Sequence, residues 1–305
     1  LPVLYTIVQK KYIKYYISAF LVAMSFSELV SYLIWFEIVS PFKMATVYNP
    51  VPFMSHVSYN PILAFAIYLV AHEVFLNKDL GKFKFFAYSF FATTMTINMF
   101  ITGGRSGQVM FFAMLAILIF QFFQAEKVKS LIVISILIPG IFLTAYQTSA
   151  LFENRVNAAI NDVVTYEVNS NTSVGKRIDY LVNSIDIIKK NPFIGVGTGD
   201  LPNEFLKVSI MNNNRDFIRT NNPHNMYSLV LIQLGLLGLL SFLSIFYFQI
   251  KQSFLSPSRF MRDVGITLPL LFLIIMFGES YLLGHYTTLL FVFFSSFVYN
   301  DFREN

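Results

Sequence analysis

The sequence predicts an all-α fold, a polytopic transmembrane helical bundle with one large outer loop that contains an amphipathic helix. Three observations predict it. Hydrophobic residues make up 55% of the chain and charged residues 13%, and that charged share is about half of what a soluble domain carries. The apolar residues gather into runs that match the roughly 17–25 residues a helix needs to cross a bilayer. One long interval, residues 149–225, interrupts those runs with polar, Asn- and Gly-bearing sequence.

The spans follow in order. Residues 15–36 form the first, 61–76 the second, 85–101 the third, 109–123 the fourth and 131–147 the fifth. After the polar interval, 226–250 forms the sixth. The seventh and eighth share 264–299 and are split around 278–285. The chain thus divides into about five spans in 1–148, a loop over 149–225, and about three spans in 226–305. It starts at Leu1 without a signal-peptide pattern, so earlier helices are expected to precede it.

Basic residues orient these spans. Lys10, Lys11 and Lys14 precede the first, Lys78, Lys82 and Lys84 follow the second, Lys127 and Lys129 follow the fourth, and Lys251, Arg259 and Arg262 follow the sixth. All fall on one side, which the positive-inside rule makes cytoplasmic. The net charge of +5 therefore reports orientation and does not point to nucleic acid. With no cysteine, disulfides, thiolate zinc sites and thiol nucleophiles are excluded. No His/Asp/Glu group has metal-ligand spacing, and no GxSxG elbow occurs.

Within the outer loop, Ile178, Leu181, Val182, Ile185 and Ile188 recur at helical spacing from about Ser173. Lys189 and Lys190 suit the C-terminal dipole, and Asn191-Pro192 stops the helix. This amphipathic helix lies against the membrane or against other helices. A glycine-rich turn, NPFIGVGTGD, follows, and then the polar tract MNNNRDFIRTNN. The turn resembles a dinucleotide loop only superficially, because no βαβ unit surrounds it.

Three outer features carry candidate chemistry. Arg105 sits in TGGRSGQ, where glycines let backbone approach a ligand and a guanidinium can pair with phosphate oxygens; the alternative is an interfacial Arg reaching headgroups. Arg177 stands near the start of the amphipathic helix, where the dipole disfavours a cation unless an anion joins it; the plainer reading is a solvated charge beside Asp179. His224 follows Asn222, a good N-cap, and Pro223, a good first helical residue. In that first turn the dipole favours neutral imidazole, able to accept a hydroxyl proton. The alternative is a polar residue finishing an interfacial helix end. Glu28 and His72 lie inside apolar runs, and Glu279 and His285 flank the last turn.

These pieces occur in a particular order: TGGRSGQ at a helix mouth, then SVGKRIDYLVNSIDIIKKNPFIGVGTGD in a long loop, then PHNMYSLVLIQLGLLGLL. The order resembles the O-antigen ligase and polymerase superfamily of bacterial envelope enzymes, over roughly residues 85–240. Two positions depart from the family pattern. Tyr180 or Leu181 stands near its usual Trp, and Gln233 replaces an acidic residue before Gly235.

The resemblance implies a multi-pass protein of the bacterial inner membrane, with its active face and long loop periplasmic. It implies a glycosyltransferase that takes a glycan from an undecaprenyl diphosphate carrier to an acceptor hydroxyl, without metal, nucleotide or other cofactor. It assigns His224, Arg177 and Arg105 to catalysis, and Arg105, Arg177, Gly195 and Gly197 to substrate binding. Lipid A–core is the favoured acceptor, which makes the chain a ligase of lipopolysaccharide biosynthesis. O-antigen polymerisation and protein O-glycosylation remain alternatives, and from another class a membrane transporter. Family members have roughly twelve spans, which agrees with missing N-terminal helices.

Overall fold

The computed structural model describes residues 2–212 and 218–300. Part of the polar tract before His224, residues 213–217, lies outside the described residues. Among the described residues the chain is helical, without a strand. The helices are α1 (Pro2–Ile7), α2 (Ile13–Trp35), α3 (His56–Leu76), α4 (Lys82–Ile101), α5 (Arg105–Phe122) and α6 (Lys127–Thr148). They continue with α7 (Ala150–Val164), α8 (Ser173–Lys190), α9 (Leu201–Met211), α10 (Met226–Phe254), α11 (Arg259–Ile275) and α12 (His285–Val298). The fold is the all-α bundle expected, and the chain is a multi-pass membrane protein.

Among the described residues, five helical segments are long and apolar enough to cross a membrane: Lys10–Trp35, which contains α2, and α3, α5, α6 and α10. The expected third, seventh and eighth spans are present as helices but fall short of that measure. The first turn of α4 holds Lys82 and Lys84, α11 opens with Arg259, Arg262 and Asp263, and α12 has only 14 residues. Two helices inside the polar interval, α7 and α9, were not expected. For α9 the signals are Asp200 before the helix and Pro202 in its first turn.

The chain folds as two compact units. The first draws on residues up to Arg155, on Gln252–Leu271 and on residues from His285 onward. Its centre is α3, buried without a break from Tyr59 to His72, as a helix that is apolar all round should be. The TGGRSGQ glycines belong to this packing. A Cβ on Gly107 would lie 2.1 Å from Cβ of Asn60, so that glycine lets α5 meet α3 closely. The Thr102 hydroxyl donates to Asn60 Oδ1 at 2.9 Å in the same layer. His72 is likewise structural: its Nε2 lies 3.0 Å from Asp263 Oδ2, with Arg259 and Arg262 at 3.5 and 3.7 Å from that carboxylate.

The second unit is Val156–Lys251 with Phe272–Gly284. Thr172 caps α8, its hydroxyl accepting from the Gly175 amide at 3.0 Å. The helix turns Asn183, Ser184 and Ile187 inward, and Asn183 Oδ1 accepts from the Asn212 amide group just past α9 at 3.0 Å. Leu181, Val182 and Ile185 stay exposed. Further on, α10 breaks at Gly235, where φ is 63° and ψ −165°, a backbone region essentially reserved for glycine. The turn after α8 fills the break. The amides of Val196 and Gly197 donate to the carbonyls of Ile232 and Gln233, and those of Leu236 and Leu237 donate to Pro192 and Phe193. These bonds satisfy backbone groups that the break removes from the helix ladder.

This seam makes a prediction. A Cβ on Gly235 would meet the Phe193 carbonyl carbon at 2.2 Å, and the Gly235 φ is already outside the range side chains favour. Gly235→Ala is expected to destabilise the protein by roughly 2–5 kcal/mol, adding backbone strain to overpacking. A lowered thermal midpoint of the purified protein in detergent is the readout. A midpoint equal to that of the parent would mean the turn does not pack into the break.

Candidate functional site

The second unit gathers His224, Glu279, Arg177 and Tyr180. The helix end that presents His224 differs from the sequence expectation. The cap of α10 is Asn225, whose Oδ1 accepts from the Ser228 amide at 2.9 Å, and the helix begins at Met226. Asn222 is not the cap. Its Oδ1 accepts from the His224 amide at 2.9 Å, a local turn that short Asn side chains favour over helix. His224 therefore precedes the helix, with φ at 53°. A non-glycine residue in that region persists only where its surroundings over-determine it, and such residues cluster at functional sites.

The surroundings here are Glu279. Its Oε2 lies 2.6 Å from Nδ1 of His224, and its Oε1 accepts from Asn222 Nδ2 at 3.2 Å and from the Ser280 amide at 3.0 Å. The backbone brings the two residues together. The Met226 amide donates to the Met276 carbonyl at 2.9 Å, and Asn225 Nδ2 donates to the Phe277 carbonyl at 3.1 Å. Burial raises the Glu279 carboxyl, but the His224 hydrogen bond and charge, the Ser280 amide and Asn222 outweigh it and hold the group below the ordinary carboxylate value. A carboxylate only accepts, so Nδ1 carries the proton that faces Glu279, and in the neutral form of the ring Nε2 is the accepting nitrogen. The expectation that a helix dipole keeps the imidazole neutral gives way to this: Glu279, not a helix end, selects the tautomer.

Arg177 joins from α8. Its Nη2 lies 3.7 Å from Glu279 Oε2. Tyr180, three residues on and so on the same helix face, stacks on the His224 ring with centroids 5.7 Å apart and planes at 11°. Tyr180 also meets Phe205 of α9 edge-on at 6.3 Å. The Glu279 side chain is 13% exposed, while those of Arg177 and His224 are 36% and 37% exposed. A largely covered carboxylate thus orients two groups that remain open to a ligand. The arrangement can bind an anion at the guanidinium and accept a hydroxyl proton at Nε2.

The other candidates lie elsewhere. Arg105 opens α5 in the first unit, with Gly104 before it, and both Arg105 and Arg155 of α7 act electrostatically on His56, the first residue of α3. Asn49 holds this corner: its Oδ1 accepts from the Gly103 amide at 2.8 Å, and its Nδ2 lies 3.2 Å from His56 Nδ1. Sequence reasoning misses Arg155, because α7 falls in the interval that reads as loop, and His56, which precedes the expected second span. Gly195 and Gly197, at φ of 70° and 91°, belong to the turn that fills the α10 break. Their amides donate to Asn191 and Gln233 carbonyls, so neither amide is available to a substrate. Glu28 is buried in α2, and His285 is an exposed residue of the first unit. Glu279 was visible in the sequence only as a residue flanking a turn.

Comparison with known proteins bears on this arrangement. A family model described as O-antigen ligase matches residues 90–243, which runs through Arg105, Arg177 and His224. An uncharacterized protein of Haemophilus influenzae is 30% identical over 216 residues, covering 66% of this chain and 53% of the relative. The chain therefore spans about half the length of the curated relative it matches.

Proposed function

This chain belongs to the O-antigen ligase family, and we propose that it transfers a glycan from undecaprenyl diphosphate to an acceptor hydroxyl on the periplasmic face of the bacterial inner membrane. The observation that carries this reading is the His224–Glu279–Arg177 cluster, with its 2.6 Å hydrogen bond and two exposed reactive ends. The acceptor hydroxyl approaches His224 Nε2, which takes its proton as the oxygen attacks the anomeric carbon. The bond between that carbon and the diphosphate oxygen breaks in the same displacement, which inverts the anomeric centre. The diphosphate leaves as an anion, and Arg177 meets the charge that develops on it. Arg105 belongs to the first unit, and Arg105→Lys in the transfer assay below tests whether it takes part in the reaction. Gly195 and Gly197 contribute through the turn that fixes the end of α8.

Lipid A–core is the acceptor we favour, which makes the reaction O-antigen ligation. Purified protein, a lipid-diphosphate-linked glycan and lipid A–core test it together. Glycan-bearing lipid A–core is the expected product. Joining of donor glycans to one another instead would identify a polymerase. Glycan uptake into liposomes without transfer would replace the enzyme reading with a transporter. In the same assay, Arg177→Lys is expected to lower transfer roughly 10–100-fold, because an ammonium cannot form the planar two-point contact with a diphosphate. Transfer by Arg177→Lys equal to the parent would remove Arg177 from the leaving-group role.

A further inference from the structure

Segments 173–197 and 226–251 of the second unit expose apolar side chains where a water-facing loop would bury them. In a helix at a protein–water boundary the polar side faces out. Over residues 181–185 of α8 the order is reversed, although Ile187 faces inward as usual. Asn183 and Ser184 are buried, while Leu181, Val182 and Ile185 are 47, 46 and 44% exposed. The exposed stripe continues past the helix end, where Phe193 is 66% and Ile194 72% exposed at the tip of the turn. Five bare apolar side chains in one stretch do not fit water.

The register of the turn says what covers them. Its backbone is bonded into α10 at Ile232, Gln233, Leu236 and Leu237, around Gly235. That helix is long and apolar enough to cross a membrane. From Leu236 to Lys251, the first charged residue beyond the apolar run, the rise is roughly 22 Å at 1.5 Å per residue. A hydrocarbon core is about 30 Å thick, so Gly235 and the turn tip beside it lie roughly 8 Å inside the opposite edge. Leu234 and Leu237 of α10, flanking the break, are 48% and 63% exposed and face the same medium. Non-helical backbone at that depth is tolerated only with its polar groups satisfied within the protein, and the turn and the broken helix satisfy one another. Lys189 and Lys190, at the end of α8, are exposed cations of the kind that reach back to headgroups.

We propose that α8 and the 192–197 turn form a re-entrant, membrane-inserted element. The stripe of α8 lies in the leaflet on the His224 side, the turn tip dips into its acyl chains, and α10 is broken at Gly235 to receive it. The partner of this surface is lipid hydrocarbon. The proposal rests on α10 spanning the membrane and not on the transferase reading, so the two fail separately.

The chain has no cysteine, so single-cysteine variants carry a label without background. Nitroxide labels at Ile185→Cys and Ile194→Cys, in proteoliposomes without substrate, are compared with Leu237→Cys on the span and Lys207→Cys on the exposed side of α9. All four positions are exposed, so the substitutions disturb no core. Labels at 185 and 194 are expected to collide with oxygen and avoid a water-soluble nickel chelate, as at 237, with an oxygen-to-nickel ratio several-fold above that at 207. A ratio at 194 like that at 207 puts the turn in water and overturns the proposal. Low access to both reagents at 185 and 194 means that protein covers the face, and overturns it equally.

Discussion

His224→Asn is expected to lower glycan transfer by roughly 10²–10⁴-fold, the usual loss on removing a general base, while the protein folds normally. Asparagine isolates the chemistry. It tolerates the left-handed backbone that His224 adopts at φ 53° better than most side chains do. Its Nδ2 falls near the position of the imidazole Nδ1, so it can still donate to Glu279. What it lacks is a second nitrogen at the position of Nε2. A histidine needed only to finish a helix end would therefore be replaced without loss. A thermal midpoint close to that of the parent, with transfer gone, places the proton acceptor at His224. Transfer within a few-fold of the parent would leave His224 as a structural residue, and the proposed mechanism would have no base.

Much of the fold is legible in the sequence because apolar runs report burial in lipid directly. The boundaries of α2, α4, α5, α6 and α10 lie within a few residues of those the hydropathy pattern implies. The site is only partly legible. Arg177 and His224 are marked by their positions at the ends of periodic segments, but the group that joins them is not. Glu279 lies 55 residues beyond His224, and the backbone bonds from Met226 and Asn225 that bring it in have no local sequence signature. The same limit explains the misplaced cap. Asn222 and Asn225 both precede an apolar helix, and Pro223 next to Asn222 made the earlier one the better local candidate. Only the third dimension shows Asn222 divided between the His224 amide and Glu279. The glycines mislead for a related reason. Gly107, Gly195 and Gly235 mark close approach of backbone, but the approaching group is the protein's own chain.

Glu279→Gln is expected to cost as much activity as His224→Asn, although Glu279 touches no substrate. The carboxylate accepts from Nδ1, which leaves Nε2 able to take a proton. An amide nitrogen placed there donates instead, and the ring then carries its own proton on Nε2, the wrong tautomer for a base. Under a catalytic imidazole, this change costs roughly 10⁴-fold in the serine-protease triad. The loss should fall on kcat with KM little changed, since Glu279 acts as a positioning residue. Because the two residues act as one unit, the double variant His224→Asn/Glu279→Gln should be no slower than either single variant. Independent, multiplying losses would show that the 2.6 Å pair does not work as a unit.

Acid gives a second reading of the same residue. The folded carboxyl is held below its ordinary value of 4.5. Its contribution to stability is therefore complete above 4.5, and is lost as pH falls through the lower folded value. The parent protein should lose thermal stability across that acid window, and Glu279→Gln, with no proton to take up there, should lose less. Equal acid sensitivity in the two proteins would mean that Glu279 is not held ionised by His224, Ser280 and Asn222, and the tautomer argument would lose its basis.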